Sequence, residues 1–234
     1  MSGWFAEDAG VRYDESDEHN PYFAPAAIEA MVDFLLPFAG GGALELAVGT
    51  GRIAVPLAAR GVRVAGVDYA PPMIEQLRRK SDAVEAVVGD MTTTRFDETF
   101  SLVYVVYNSI NNVTTQEGQT AVFANAAAHL EPGGVLVIEV GVPPDRPWTV
   151  FDLSDEHVGV DEYEADSQRL VSHHFTRSSD GWRKGSGEFR AVFPAELDLM
   201  ARLAGMELRE RWADWDRSPF TAESGKHVSV WQKP

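Results

Sequence analysis

The sequence predicts an α/β fold, a doubly wound and mostly parallel seven-stranded sheet with an inserted antiparallel β cap. Three observations predict it. Between residues 43 and 140, short apolar runs alternate with stretches of helical periodicity. The first run leads into a glycine turn, Ala47-Val48-Gly49-Thr50-Gly51, the arrangement by which such folds hold a nucleotide-like ligand at a helix N-terminus. From about residue 148 to 193, charged and apolar residues alternate around a Ser178-Ser179-Asp180-Gly181 turn, as in an antiparallel group. The expected division is therefore residues 1–147 with 194–234 as the main domain and 148–193 as the inserted cap.

The elements follow in order. Residues 1–23 are acidic and poorly periodic, with Glu7, Asp8, Asp14, Glu15, Asp17 and Glu18, and read as a solvated segment. Ile28, Met31, Val32, Leu35 and Leu36 fall at helical spacing before Pro37 and the Gly40-Gly41-Gly42 turn. A strand over 43–47, a helix to about residue 60 and a strand over 62–68 make the first βαβ unit. Pro71-Pro72 opens a helix to Lys80, where proline at the first turn is tolerated. Strands over 84–88 and 102–107, a helix from about 116 to 130 and a strand over 135–140 continue the alternation. In the cap, strands are expected over 158–160, 170–176 and 187–193. A helix over 194–204, stopped by Gly205, precedes strands over 207–215 and 227–233 that complete the main sheet.

Composition narrows the function classes. The chain has 234 residues and no cysteine, which removes disulfides, thiolate zinc sites and a cysteine nucleophile together. Its formal net charge of −16 opposes phosphate-backbone binding, so nucleic acid is not an expected partner. No apolar run reaches the roughly 18 to 20 residues that span a bilayer, and the N-terminus lacks the basic start and apolar core of a signal peptide. No membrane association and a cytoplasmic location are expected by default, and no metal is called for.

The glycine turn admits two ligands. Gly49-Thr50-Gly51-Arg52-Ile53-Ala54 satisfies the G-x-G-x-x-G/A dinucleotide fingerprint, which leaves an NAD(P)-dependent oxidoreductase open. Other residues favour a sulfonium nucleoside. Glu45 stands four residues before Gly49, where a carboxylate accepts from an amino-acid ammonium and would repel a pyrophosphate. Asp68 ends the second strand about 20 residues beyond the turn, a position suited to both hydroxyls of a ribose. Asp90 and Met91 end the third strand, suited to an adenine amino group and to packing on the base. Met73 is a soft apolar residue for the other adenine face.

These motifs give a resemblance. The chain looks like a class I, Rossmann-like S-adenosylmethionine-dependent methyltransferase over residues 10–140 and the closing strands. The family's acid followed by a glycine motif stands here as Glu45-Leu46-Ala47-Val48-Gly49-Thr50-Gly51, with alanine at the first glycine. That change is mild, tightening the room beside the methionine moiety. The acids after strands two and three are Asp68 and Asp90, and the Leu-x-Pro-Gly-Gly turn is Leu130 to Gly134. The inserted segment, Tyr13-Asp14 and the stretch around Pro194 to Met206 are similar to the small-molecule branch, which includes bacterial amino-sugar N-methyltransferases.

The resemblance implies a methyl transfer from S-adenosylmethionine to a nitrogen or oxygen of a small molecule, with a non-catalytic binder of the cofactor as a further alternative. The cofactor set is Tyr22, Glu45, Ala47, Gly49, Gly51, Arg52, Asp68, Tyr69, Met73, Asp90, Met91, Asn108 and Ser109. Tyr13 and Tyr22 are candidates for a lid over the cofactor. Tyr13 and His174 are the candidates for orientation or general base; His173, Asn112 and Phe220 are the substrate-side candidates. His173 and His174 adjoin on one strand and so face opposite ways. His129, near a helix end, reads as a structural histidine whose cation suits the dipole. Trp212 and Trp215 are expected to support the core. The expected partner is a small-molecule acceptor, and the reading allows a homodimer.

Overall fold

A computed structural model describes residues 21–234; the lid candidate Tyr13 lies outside the described residues. The main sheet has seven strands: β1 (Ala43–Leu46), β2 (Val64–Asp68), β3 (Val84–Val88), β4 (Phe100–Val105), β5 (Leu130–Gly141), β10 (Glu207–Trp212) and β11 (Lys226–Gln232). Their spatial order is β10-β11-β5-β4-β1-β2-β3. All pairings among β1 to β5 are parallel, and β11 runs antiparallel to both of its neighbours. The chain starts at β1 and winds outward to both sides, which puts the switch point, and with it the ligand crevice, between β1 and β4.

The helices cover both faces, as the buried strands require. On one side α1 (Pro25–Leu35), α2 (Ala54–Ala59) and α3 (Pro71–Lys80) bury Met31, Phe34, Leu57, Ile74 and Leu77 against Ala43, Leu102, Val135 and Val230. On the other, α4 (Gln116–His129) and α5 (Pro194–Leu203) bury Val122, Phe123, Leu197 and Met200 against Leu44, Val67, Val103 and Trp231. Strand parity does the sorting, because successive side chains point to opposite faces. Trp215 is buried in the first core and Trp212 packs against it.

A second sheet of four antiparallel strands, β6 (Trp148–Leu153), β7 (His157–Glu164), β8 (Arg169–Ser178) and β9 (Gly181–Arg190), stands between β5 and α5. Three of its strands were expected and β6 was not. β6 is the exposed edge of its sheet, and a bulge at Val150/Asp152 interrupts its alternation, which erases the period that marks a half-buried strand. β9 begins at the Ser178–Gly181 turn and ends at Arg190, so Ala191 to Phe193 lead into α5 instead of extending the strand. β5 starts five residues earlier than its apolar run. Leu130 already pairs with Phe100, and Pro132-Gly133-Gly134 form a register shift within the strand.

His129 is structural, but it is not the expected cation. Its Nε2 accepts the Phe96 amide at 2.9 Å and its Nδ1 meets the Asn125 carbonyl at the same distance. Burial lowers its pKa, so the ring is a neutral bridge between α4 and the Phe96 loop, and not a cation on the helix dipole.

Candidate functional site

The C-terminal ends of β1, β2, β3 and β4 bring Glu45, Asp68, Asp90 and Asn108 to one rim. Glu45 is 2% exposed and sits opposite Tyr104 in the β1–β4 register. The Tyr104 hydroxyl donates to Glu45 Oε2 at 2.9 Å, and the Ala54 amide at the start of α2 adds a second donor. Burial pushes the Glu45 carboxyl up to about 8, against the opposing pull of Tyr104 and of the Arg52 guanidinium. A carboxyl so placed ionises readily only when a cation arrives.

The turn after β1 is strained and open. Ala47 holds φ at +64°, a left-handed conformation that costs a residue with a Cβ about 1 kcal/mol or more. Alanine at this position is therefore a backbone strain and not only a matter of room. Gly51, at φ +81°, has a second reason to be glycine. A Cβ there would lie 2.9 Å from Val55 and 3.0 Å from Leu77. Above Gly49 nothing lies within 4 Å of the position a Cβ would take, so the turn presents bare backbone to open space.

Asp68 fastens this turn to the end of β2. Its Oδ2 accepts the Gly49 amide at 2.8 Å and its Oδ1 the Ala70 amide at 2.9 Å. Each oxygen keeps a further lone pair, since a carboxylate offers about four acceptor sites. Burial raises its pKa, and the two amides oppose that rise. Asp90 is exposed, and its Oδ1 accepts both the amide and the hydroxyl of Thr92. Met73 is buried beside Ala70, Met91 packs on the second core, and Tyr69 next to Asp68 is 60% exposed.

Beyond β4 the backbone is strained again. Tyr107 and Asn108 are consecutive left-handed residues, at φ +55° and +58°, which is rare for a bulky side chain. Hydrogen bonds to β5 hold them. Tyr107 N–H donates to Glu139 Oε2 at 2.7 Å, Asn108 N–H to the Glu139 carbonyl at 3.3 Å, and Gly141 N–H to Asn108 Oδ1 at 2.6 Å. A 3-10 turn, Ser109–Asn112, follows, with Ser109 half-buried and Asn112 exposed.

Sequence reasoning missed three residues here. Glu139 is 3% exposed, and burial raises its pKa while Tyr107, Lys226 and Arg52 oppose. Lys226 lies 3.9 Å from Glu139 and 2.8 Å from Asp214. Tyr104 completes the set through Glu45. None belongs to a motif; each is recognised only from strand register. Arg52 and Lys226 also fasten Tyr22 and Phe23. Arg52 donates to the Tyr22 carbonyl at 2.9 Å and stacks on Phe23, and Lys226 lies over the Tyr22 ring.

The substrate-side candidates are spread more widely. His173 and His174 pair with Val160 and Gly159 and so face opposite sides of the second sheet. His173 contacts Ser186 Oγ at 2.8 Å and Glu162 Oε2 at 3.3 Å. His174 joins a chain in which Asp152 Oδ2 lies 2.6 Å from His157 Nδ1 and His157 Nε2 lies 3.0 Å from His174 Nδ1. Burial, with the neighbouring His157, lowers the His174 pKa to about 4. Phe220 packs edge-on against His227. Among the described residues no group of three or more side chains could hold a metal, and no helix is long and apolar enough to cross a membrane.

Comparison with known proteins adds a family. Residues 43–134 match a methyltransferase domain. The chain is 28% identical over 219 residues to the cypemycin N-terminal methyltransferase of a Streptomyces species, covering 89% of each chain. It is 30% identical over 133 residues to a dTDP-3-amino-3,4,6-trideoxy-alpha-D-glucopyranose N,N-dimethyltransferase of Streptomyces venezuelae, covering 56% of this chain and 53% of that one. Among solved structures, the CcbJ methyltransferase of Streptomyces caelestis superposes with a TM-score of 0.83 at 33% identity, over 94% of this chain and 95% of that one.

Proposed function

We propose that this chain, which belongs to the S-adenosylmethionine-dependent methyltransferases, methylates an amine nitrogen of a small molecule, with an amino sugar as the favoured acceptor class. Its family membership removes the oxidoreductase alternative. The observation that carries the nitrogen is the pair of relatives named above, one covering nearly the whole chain, whose names specify an N-terminus and an amino sugar as what they methylate. The rim agrees in charge. Glu139 and Asp214 are offset by Arg52 and Lys226, while the buried Glu45 carboxyl gains its charge when a cation reaches it, which favours a cation over an anion.

The residues present fit the cofactor. In this reading Glu45 takes its ammonium, the bare Gly49–Gly51 turn its methionine end, Asp68 the ribose hydroxyls, and Asp90 with Met73 and Met91 the adenine. Arg52 and Tyr22 border the methionine end. When bound, S-adenosylmethionine supplies a methyl already activated by its sulfonium. The protein's task is then alignment, which can contribute roughly 7–11 kcal/mol, more than a single general base usually adds. Glu139 serves that task by fixing the Tyr107–Asn108 turn, and with it Ser109 and Asn112, at the end of β4. Tyr13 as an orienting group and the inserted sheet as a substrate cap remain part of this proposal.

Mass spectrometry of incubations with methyl-labelled cofactor and a panel of amino sugars, peptides with free N-termini and phenols tests it. Label on nitrogen of an amino sugar is the expected result; label on phenols alone would overturn the reading.

A further inference from the structure

We propose that Arg190 is a positioning residue that ties the second sheet to the Ser109–Asn112 turn, so that the sheet and the acceptor side of the rim are held in one geometry. This rests on the reading that the turn borders the acceptor.

Arg190 is the last residue of β9 and only 7% exposed. Its guanidinium fills a buried junction of four elements. Nη1 donates to Gln119 Oε1 of α4 at 2.5 Å. Nη2 donates to Gln168 Oε1, in the turn between β7 and β8, and to Glu196 Oε1, in the first turn of α5, each at 2.7 Å. Gln168 and Gln116 also donate to Glu196, at 2.8 and 2.5 Å. A planar fork with several fixed donors suits such a junction; an ammonium on a flexible stem does not reproduce it.

The junction does not end at the second sheet. Gln119 is fully buried, and its Nε2 donates both to the Arg190 carbonyl at 3.0 Å and to the Ile110 carbonyl at 3.3 Å. Ile110 lies inside the Ser109–Asn112 turn, and its carbonyl also accepts the Val113 amide at 3.2 Å. One amide side chain therefore bridges the end of β9 to the turn after β4. The backbone leading into the junction is itself constrained, with Gln168 left-handed at φ +56° and its Nε2 bonded to the Ala191 carbonyl at 3.1 Å. Gln119 and Arg190, the two donors at its centre, are buried, so water offers no ready substitute there and the arrangement holds as a unit.

Two variants separate positioning from bulk stability. Arg190→Lys keeps the charge and loses the fork. Gln119→Glu keeps an acceptor for the Arg190 guanidinium and removes the amide donor to the Ile110 and Arg190 carbonyls. Hydrogen exchange of the full chain, saturated with S-adenosylhomocysteine, is followed by mass spectrometry. The expected result is at least tenfold faster exchange over 109–113 in both variants. Exchange over 45–51 and the dissociation constant for S-adenosylhomocysteine should stay within twofold of the native protein. For the amine identified by the labelling incubations, KM should rise at least fivefold in Gln119→Glu. Unchanged exchange over 109–113 in Gln119→Glu, or faster exchange spread equally over 45–51, would overturn the proposal. Methylation of phenols alone would sink the amine reading and leave this coupling standing, so the two failures are distinct.

Discussion

In the main sheet, β1, β4 and β5 are mainly apolar, and toward their C-terminal ends Glu45, Tyr104 and Glu139 stand buried among hydrophobic side chains. In the second sheet Trp148, Val150, Phe151 and Leu153 face solvent, Leu153 at 77% exposure, while histidines and carboxylates hydrogen-bond between strands. The contrast separates two kinds of polar group. Those of the main sheet have no water to fall back on, so their ionisation is set by one another and by what binds. Those of the second sheet are half-buried and remain near solvent, where pairing is weaker and more adaptable. In the proposed function, the fixed cofactor meets the first kind and the variable acceptor the second.

Glu45 has the largest expected effect. Its folded pKa of about 8 lies above the ordinary value of 4.5, so between those limits the folded state holds a proton that the unfolded state has lost. Stability therefore falls as pH rises through that window, by on the order of 4 kcal/mol for this group. Glu45→Gln should remove the slope in urea unfolding compared at pH 5 and pH 8. Binding runs the other way. If the ionised form meets the cofactor's ammonium, affinity for S-adenosylhomocysteine rises with pH up to about 8, and a titration calorimeter records proton release that Glu45→Gln abolishes.

Gly51→Ala comes next, because φ +81° and close contacts with Val55 and Leu77 act together. Thermal unfolding should show a loss of about 2–3 kcal/mol. Ala47→Gly should do the opposite and gain about 1 kcal/mol by relieving φ +64°. The smallest effect is expected from His174→Gln. It should leave S-adenosylhomocysteine affinity within twofold while weakening acceptor turnover.

How much of this the sequence displayed follows from the same contrast. β1 to β4 were legible because each is a short apolar run ending at a glycine, an acid or an asparagine, as at Gly49, Asp68, Asp90 and Asn108. β6 was not, since a bulged edge strand has neither continuous apolarity nor clean alternation. Glu139 sits in a valine-rich run with no motif around it, and its partners Tyr107 and Lys226 are 32 and 87 residues away in sequence. Only pairing of β5 with β4 and β11 brings them together. His129 is structural as expected, but its expected charge fails for a related reason. A helix end argues for a cation, but burial against Phe96 and Phe100 decides for the neutral ring, and burial is not written in local sequence.

The proposed division of labour between the two sheets is most directly tested by titrating S-adenosylhomocysteine calorimetrically into Asp68→Ala and Arg190→Lys side by side. Loss of the Asp68 carboxylate should raise the dissociation constant at least tenfold, as removal of charge-assisted hydrogen bonds does, and Arg190→Lys should leave it within twofold. Unchanged binding in Asp68→Ala, or an equal loss in both variants, would contradict the account.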